Sequence, residues 1–159
     1  MSNKLLLGQL DGTFKDATLE AGVQSSYWSW SAKAADLDND GYQDIYIAND
    51  GHPNSLFENN DGLFVNNALI QSVAYSGNGR SQAGMGLAIG DYNNDGLFDL
   101  FVTNFAQDYN TLYENSGKGY FSDVSGRAGL GASSRPFMGW GTFFFDADKD
   151  GWEDIFVAN

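Results

Sequence analysis

The chain has 159 residues, 42% of them hydrophobic and 15% aromatic, which is one domain's length with enough apolar side chains for a packed core and excludes a disordered acidic tail. A formal net charge of -13 repels phosphate backbones and anionic membrane surfaces, so nucleic acid and lipid head groups drop out as partners and cations are favoured. The absence of cysteine excludes disulfides, CxxC zinc sites and thiol catalysis, and leaves the compartment open.

At the N-terminus, MSNKLLLGQLDG carries only three consecutive leucines, too few for a signal-peptide core, and no apolar run elsewhere is long enough to span a bilayer. The chain therefore reads as soluble, with no membrane insertion and no address of its own. Twenty glycines against two prolines, with many Asn and Asp, predict tight turns between short strands and little room for long helices. The expected class is all-β.

Residues 3–27 open with NKLLLGQLDGTFKDAT, which reads as a hairpin turning at Asp11-Gly12. Residues 28–82 hold WSWSAKAADLDNDGYQDIYIAND and then NSLFENNDGLFVNNA, a strand, an acidic loop, a second strand (Ile45 to Ala48) and a hairpin turning at Asp61-Gly62. Residues 83–136 repeat the pattern with AGMGLAIGDYNNDGLFDLFVTNF and NTLYENSGKGYFSDVS: strands at Met85 to Ile89 and Leu100 to Thr103, and a turn at Gly117-Lys118-Gly119. Residues 137–159 supply only the first half, FMGWGTFFFDADKDGWEDIFVAN, with strands at Trp140 to Phe145 and Ile155 to Ala158. The first Asp of each acidic loop falls at Asp36, Asp91 and Asp146, a period of 55 residues both times. The near-continuous apolar second strand is what a strand covered on both faces needs.

A four-stranded unit at this period predicts β-propeller blades of four antiparallel strands, three repeats per chain. A β-sandwich of unrelated hairpins does not explain the regular period. Propellers use about four to eight blades, so three leave apolar faces uncovered. The sequence thus predicts a six-bladed ring completed as a homodimer, in which residues 137–159 of one copy give the inner strands of a shared blade and residues 3–27 of the other the outer ones. An excised or designed piece with no function beyond folding and assembly is the bland alternative.

The loops DLDNDGYQD, DYNNDGLFD and DADKDGWED all fit DxDxDGxxD, with Asn93 the single substitution. Alternate positions of a tight loop aim oxygens at one centre, and Ca²⁺ takes about six to eight of them. The candidate ligands are Asp36, Asp38, Asp40, the Tyr42 carbonyl and Asp44; Asp91, Asn93, Asp95, the Leu97 carbonyl and Asp99; and Asp146, Asp148, Asp150, the Trp152 carbonyl and Asp154. About three Ca²⁺ per chain would bring the formal charge from -13 to -7. Asn93 removes one charge, so the middle site is expected to be the weakest. Mg²⁺ fits less well, because it needs stricter octahedral geometry and holds its water. An EF-hand is set aside because its bidentate Glu at the twelfth position is replaced by Ile47, Val102 and Val157. Empty loops would crowd their carboxylates, so ion binding is expected to supply folding energy.

These loops, with NSLFEN and NTLYEN after the first two, resemble FG-GAP/VCBS repeats, the Ca²⁺-carrying blades of integrin α-like propellers. GWGTFFFDADKDGWEDIFVAN, with DVSGRAGL before it, is similar to the cartilage acidic protein and ASPIC/UnbV type of these repeats. The resemblance implies a calcium-binding propeller that serves as a structural and interaction scaffold, binds protein or glycan ligands and works at the cell surface or outside it. Carry-over is limited to the loop positions, because the Phe-Gly and Gly-Ala-Pro elements of integrin repeats are represented here only by GWG and GMG.

Other candidates point away from catalysis. His52 is the only histidine and reads as a turn residue, so neither a catalytic triad nor a His-based zinc site can be built in one chain. Glu20, Glu58, Glu114 and Glu153 show no partner for a glycosidase pair, and Ser72 to Gly84 lacks the GKS of a phosphate loop. The aromatic residues Trp28, Trp30, Trp140 and Phe143 to Phe145 read as blade-to-blade packing. A lectin-type propeller remains the second reading, with Tyr27, Trp28, Tyr75, Asn78 and Arg80 as its candidates.

Overall fold

The structure is a computed structural model that describes residues 3–159. Its described residues form four separate antiparallel sheets. A two-stranded sheet pairs β1 (Leu6–Gly8) with β2 (Phe14–Asp16). A four-stranded sheet runs in the order β3 (Ser29–Ala35), β4 (Asp44–Asn49), β5 (Ser55–Asn60), β6 (Leu63–Asn66). The next four strands repeat it as β7 (Gly84–Gly90), β8 (Asp99–Asn104), β9 (Thr111–Asn115), β10 (Phe121–Asp123). A short helix, α1 (Leu130–Ser133), leads to the last pair, β11 (Thr142–Phe145) with β12 (Asp154–Val157). The fold is therefore all-β, and β4, β7, β8, β11 and β12 begin and end within two residues of their expected places.

The turns follow from residue type. Asp61 and Gly62 both take positive φ, 51° and 89°, the pairing a tight hairpin needs. The crossing from second to third strand uses a buried asparagine pair in both complete sheets. The Asn49 N–H donates to Asn54 Oδ1 at 3.0 Å and the Asn104 N–H to Asn110 Oδ1 at 2.9 Å. In each, the amide nitrogen of the first asparagine also donates, at 2.7 Å, to a carbonyl in the intervening loop, of Pro53 or Tyr109. Buried polar side chains are tolerated there because backbone groups partner their amide nitrogens and the Asn54 and Asn110 oxygens; among the described residues, Asn104 Oδ1 alone of this set is buried without a partner.

Packing decides which sheet is covered. Every residue of β8 is buried, and β4 is buried at all positions but one, because each lies between neighbouring sheets. The main core cluster, with Leu37, Tyr46, Leu56, Leu100, Val102 and Tyr113, fills the space between the two four-stranded sheets. Tyr46 and Tyr113 are fully buried and their hydroxyls donate to the carbonyls of Val73 and Tyr75, at 2.9 and 3.1 Å. A second cluster joins Phe101 and Leu112 to Phe144, Ile155 and Val157 of the last pair; a third joins Ile47 and Phe57 to Leu5 and Val23 of the first. The last pair has one partly covered face, whereas every residue of β1 and β2 is exposed. Phe14 is accordingly 71% exposed, although it occupies the hairpin position at which Phe121 is 4% exposed.

The aromatic residues expected between blades divide. Phe144 packs edge-on against Phe101 and Trp30 meets Trp140, with ring centroids 6.2 and 6.3 Å apart. Trp30 and Trp140 stay exposed despite that contact, as do Trp28, Phe143 and Phe145, with Phe143 and Phe145 on the uncovered face of the last pair.

Glycine at two positions is set by the neighbouring repeat. A Cβ on Gly84 would lie 3.2 Å from the Asn49 carbonyl of the first sheet, and one on Gly86 only 1.8 Å from the Trp140 carbonyl. That carbonyl accepts from Thr103 Oγ1, which in turn accepts the Gly86 N–H. Gly86→Ala is therefore expected to destabilise by about 1–3 kcal/mol through overpacking. Urea unfolding checks this against Gly141→Ala, where a Cβ meets nothing within 4 Å and the change should stay within about 0.5 kcal/mol.

Candidate metal centres

Each acidic loop joins the first strand of a sheet to the second, and the three are built alike. The fourth and sixth positions both take positive φ: Asn39 and Gly41 at 60° and 95°, Asn94 and Gly96 at 57° and 83°, Lys149 and Gly151 at 66° and 89°. Glycine at the sixth position carries no penalty there, and asparagine tolerates the fourth. The two left-handed residues fold the chain back so that backbone N–H groups meet the first carboxylate. Asp36 accepts from Asp40 at 3.1 Å and Gly41 at 2.9 Å, Asp91 from Asp95 at 2.9 Å and Gly96 at 2.8 Å, and Asp146 from Asp150 at 3.2 Å and Gly151 at 3.1 Å. The fifth carboxylate accepts the seventh N–H in all three: Tyr42 to Asp40, Leu97 to Asp95 and Trp152 to Asp150.

Convergence of oxygens is the feature that matters for an ion. Asp36, Asp38 and Asp40 each present a carboxylate oxygen within 4.8 Å of the others, and so do Asp146, Asp148 and Asp150. Such all-oxygen sets suit a hard cation. Burial, followed by the charge of Asp40, raises the Asp38 carboxyl above the usual range. The middle loop has the same backbone path with one difference: Asn93 uses its amide nitrogen to donate to Asp95 Oδ2 at 2.9 Å, so a donor stands where its neighbours place an acceptor.

The ninth-position aspartates, Asp44, Asp99 and Asp154, lie outside these triads, and their carboxylates accept backbone N–H groups. Asp44 accepts the Leu37 N–H and the Asn59 N–H, both at 2.9 Å. Asp99 accepts the Tyr92 N–H at 3.2 Å and the Asn115 N–H at 2.8 Å, and Asp154 accepts the Ala147 N–H at 2.9 Å. These bonds tie the loop's second residue to the third strand. Burial pushes the Asp44 carboxyl up to about 6 and the Asp99 carboxyl up to about 7 despite them.

Asn115 was not singled out in the sequence reading, though it ends the repeated NTLYEN as Asn59 ends NSLFEN. Its buried amide donates to the Leu37 carbonyl at 2.8 Å and the Phe98 carbonyl at 3.1 Å. One side chain thus holds the first and second loops together. The second and third are joined by the Asn94 amide, which donates to the Gly151 carbonyl at 2.9 Å.

The remaining candidates have local roles. His52 donates from Nδ1 to the Asp50 carbonyl at 2.8 Å and stacks on Tyr27. Glu20 pairs with Lys15, Glu114 with Arg127 and Tyr92, and Glu58 accepts from Asn67 and Gln71. Glu153 packs over Gly90. Asn78 and Arg80 meet in one cleft, while Tyr27 and Trp28 lie outside it. Among the described residues no helix is long and apolar enough to cross a membrane.

The raised carboxyls carry a pH signature. Because the folded protein holds Asp44 and Asp99 protonated up to a higher pH than the unfolded chain does, chelator-treated protein should gain stability as pH falls from about 7.5 toward 5. Their contribution is complete below the unfolded carboxylate pKa and is lost as pH rises through the folded values. Denaturant unfolding across that window should show a smaller slope of stability against pH in Asp99→Asn.

Three overlapping stretches, residues 1–47, 36–102 and 91–157, match the FG-GAP-like repeat family. The chain is 30% identical over 114 residues to cartilage acidic protein 1 of Homo sapiens, covering 70% of this chain and 17% of that protein. Against cartilage acidic protein 1 of Xenopus tropicalis it is 27% identical over 164 residues, covering 96% and 24%. It thus spans about a quarter or less of these relatives' length. The second and third matched stretches start at Asp36 and Asp91, the aspartates that open the first two loops, and with all three matches spanning nearly the whole chain, the protein belongs to the FG-GAP-like repeat family.

Proposed function

We propose that this chain is a calcium-binding structural and interaction module with no catalytic chemistry of its own. The observation that carries this reading is the convergence of carboxylates at the first, third and fifth positions of the first and last of three like loops that recur every 55 residues. The ion would be held by Asp36, Asp38 and Asp40 with the Tyr42 carbonyl, by Asp146, Asp148 and Asp150 with the Trp152 carbonyl, and more weakly by Asp91, Asn93 and Asp95 with the Leu97 carbonyl. Asp44, Asp99 and Asp154 complete these ligand sets or hold the loop to its sheet. When bound, Ca²⁺ supplies the positive charge that lets these carboxylates crowd together.

The sheets are read as propeller blades, with residues 28–82 and 83–136 as whole repeats. Among the described residues one edge of β12 and one edge of β1 have no partner strand, and in the complete sheets the equivalents of these strands, β8 and β9, pair with each other. A second copy supplying that pairing would give six blades. Light scattering in Ca²⁺ then returns about twice 17.3 kDa, and the mass of one chain would sink the two-copy ring. Affinities on the order of 0.1–1 mM suit a calcium-rich extracellular space.

Calcium binding is tested by thermal melting with excess Ca²⁺ and with chelator. At an ion concentration about ten times Kd each site adds about 1.4 kcal/mol. Asp38→Ala and Asp148→Ala should each lose that increment in Ca²⁺ and melt like the parent in chelator. Asn93→Asp should strengthen the middle site. Melting of the parent that is indifferent to Ca²⁺ would overturn the reading.

A further inference from the structure

The ends of the sheets opposite the acidic loops carry a different chemistry. The linker leading into β7 (residues 76–82), the loop from β8 to β9 (residues 105–110) and the segment after α1 meet there, at the boundary between the first and second complete sheets. They line a shallow, open cleft of about 580 Å³ whose walls include Gly77, Asn78, Tyr109, Asp123, Gly126 and Arg135. A narrow notch of about 40 Å³ continues from it, flanked by Arg80 and Arg135.

Charge is what sets this cleft apart. On a chain of formal charge -13, two guanidiniums flank one notch, and among the described residues neither forms an ion pair. Arg135 is held over the Tyr109 ring, 5.7 Å from its centroid. The acid on the cleft wall is already engaged: Asp123 accepts the Tyr109 hydroxyl at 2.8 Å, the Gly77 N–H at 2.6 Å and the Ser125 N–H and hydroxyl at 3.0 and 2.5 Å. Asp108, on the notch wall, accepts the Ala83 N–H at 3.2 Å. The Ser76 hydroxyl lies 2.7 Å from Asn78 Oδ1 and 3.0 Å from the Arg80 carbonyl, so it ties Asn78 to the Arg80 backbone at the notch.

We propose that this cleft binds a carboxylated sugar such as a uronic acid, its carboxylate in the notch between Arg80 and Arg135 and its ring against Asn78 and Tyr109. Guanidinium forks match planar carboxylates in two-point contact. A strongly negative protein penalises each further charge on an anion, which favours a monoanion over a phosphate. The main cleft falls in the ordinary range of small-ligand sites, roughly 300–1,000 Å³. A peptide would be expected to add to a free strand edge, and this cleft is built from loops beyond the strand ends. The inference deepens the interaction-module reading by naming a ligand class, and it does not depend on calcium.

The test is calorimetry with free glucuronate, glucose and acetate as probes, on the parent and on Arg80→Ala, Arg135→Ala and Arg135→Lys. Glucuronate should bind with Kd on the order of 1 mM, and glucose and acetate at least about tenfold more weakly. Either alanine variant should lose about tenfold or more, Arg135→Lys should recover part of the loss, and Lys33→Ala should behave like the parent. No binding of glucuronate, equal binding of glucose or acetate, or arginine variants that bind as the parent does would each overturn the proposal. An acidic peptide that binds through both arginines while glucuronate does not would overturn it in favour of a protein ligand. Circular dichroism and melting of each variant show that it is folded. Calcium titration of the same samples tests the ion reading separately, since the arginine changes should leave it unmoved.

Discussion

The arrangement turns on one carboxylate at the start of each second strand. Asp44 and Asp99 are almost wholly buried, and each spans a gap that no backbone ladder closes, from the second residue of the acidic loop to the end of the third strand. Burying an ionised carboxylate is unfavourable, which is why both carboxyls are pushed up. Two backbone N–H groups per carboxylate offset much of that cost, and losing either would leave a buried polar group unmatched. The loop cannot leave the sheet without breaking this bridge. Asp154 keeps only the loop half of it, because its sheet has no third strand among the described residues.

From that bridge the contact passes to the next repeat. The N–H of Asn115 binds Asp99, and its side chain reaches the Leu37 carbonyl in the preceding loop. Leu37 is itself bound to Asp44 through its own N–H. Carboxylate, loop backbone, asparagine and carboxylate form one continuous chain of hydrogen bonds from the first repeat to the second, with Leu37 seated in the core between them. Asn59 occupies the same place in the first repeat, where its amide reaches only the Gln43 carbonyl of its own sheet. The difference is the presence of a preceding loop, so the asparagine gains its second partner only by stacking. Repeats of this kind stabilise one another through nearest-neighbour contacts, and here one such contact can be named atom by atom.

Much of this was legible in the residues. The 55-residue spacing, the Asp-Gly turns and the apolar second strands placed the sheets, because turn chemistry and burial pattern are local properties that short segments carry in full. The backbone partners of the ninth-position aspartates were not legible, because the Asn59 and Asn115 N–H groups that meet Asp44 and Asp99 come from the third strand, 15 and 16 residues further on. Phe143 and Phe145 were expected in a blade interface and are exposed, since alternation along a strand shows that one face is apolar without showing what covers it. The cleft was half visible: Asn78 and Arg80 stood out in a polar linker, but Tyr109, Asp123 and Arg135 join them from segments separated by up to fifty-seven residues, and no local pattern links these.

The two ends of the sheets are unlike in charge and also in what shapes them. At the acidic end each loop is closed within nine residues by its own aspartates, so its geometry travels with the repeat. At the opposite end the cleft walls come from three segments of two repeats, so their separation depends on how the sheets stack. That stacking is held at the acidic end by Leu37 and Asn115, in the middle by Tyr46 and Tyr113, and near the cleft by Gly84 against the Asn49 carbonyl. Strands of five to seven residues give little room to flex between these points. The cleft wall is therefore placed by the packing between the sheets, whereas each acidic loop is shaped by its own hydrogen bonds.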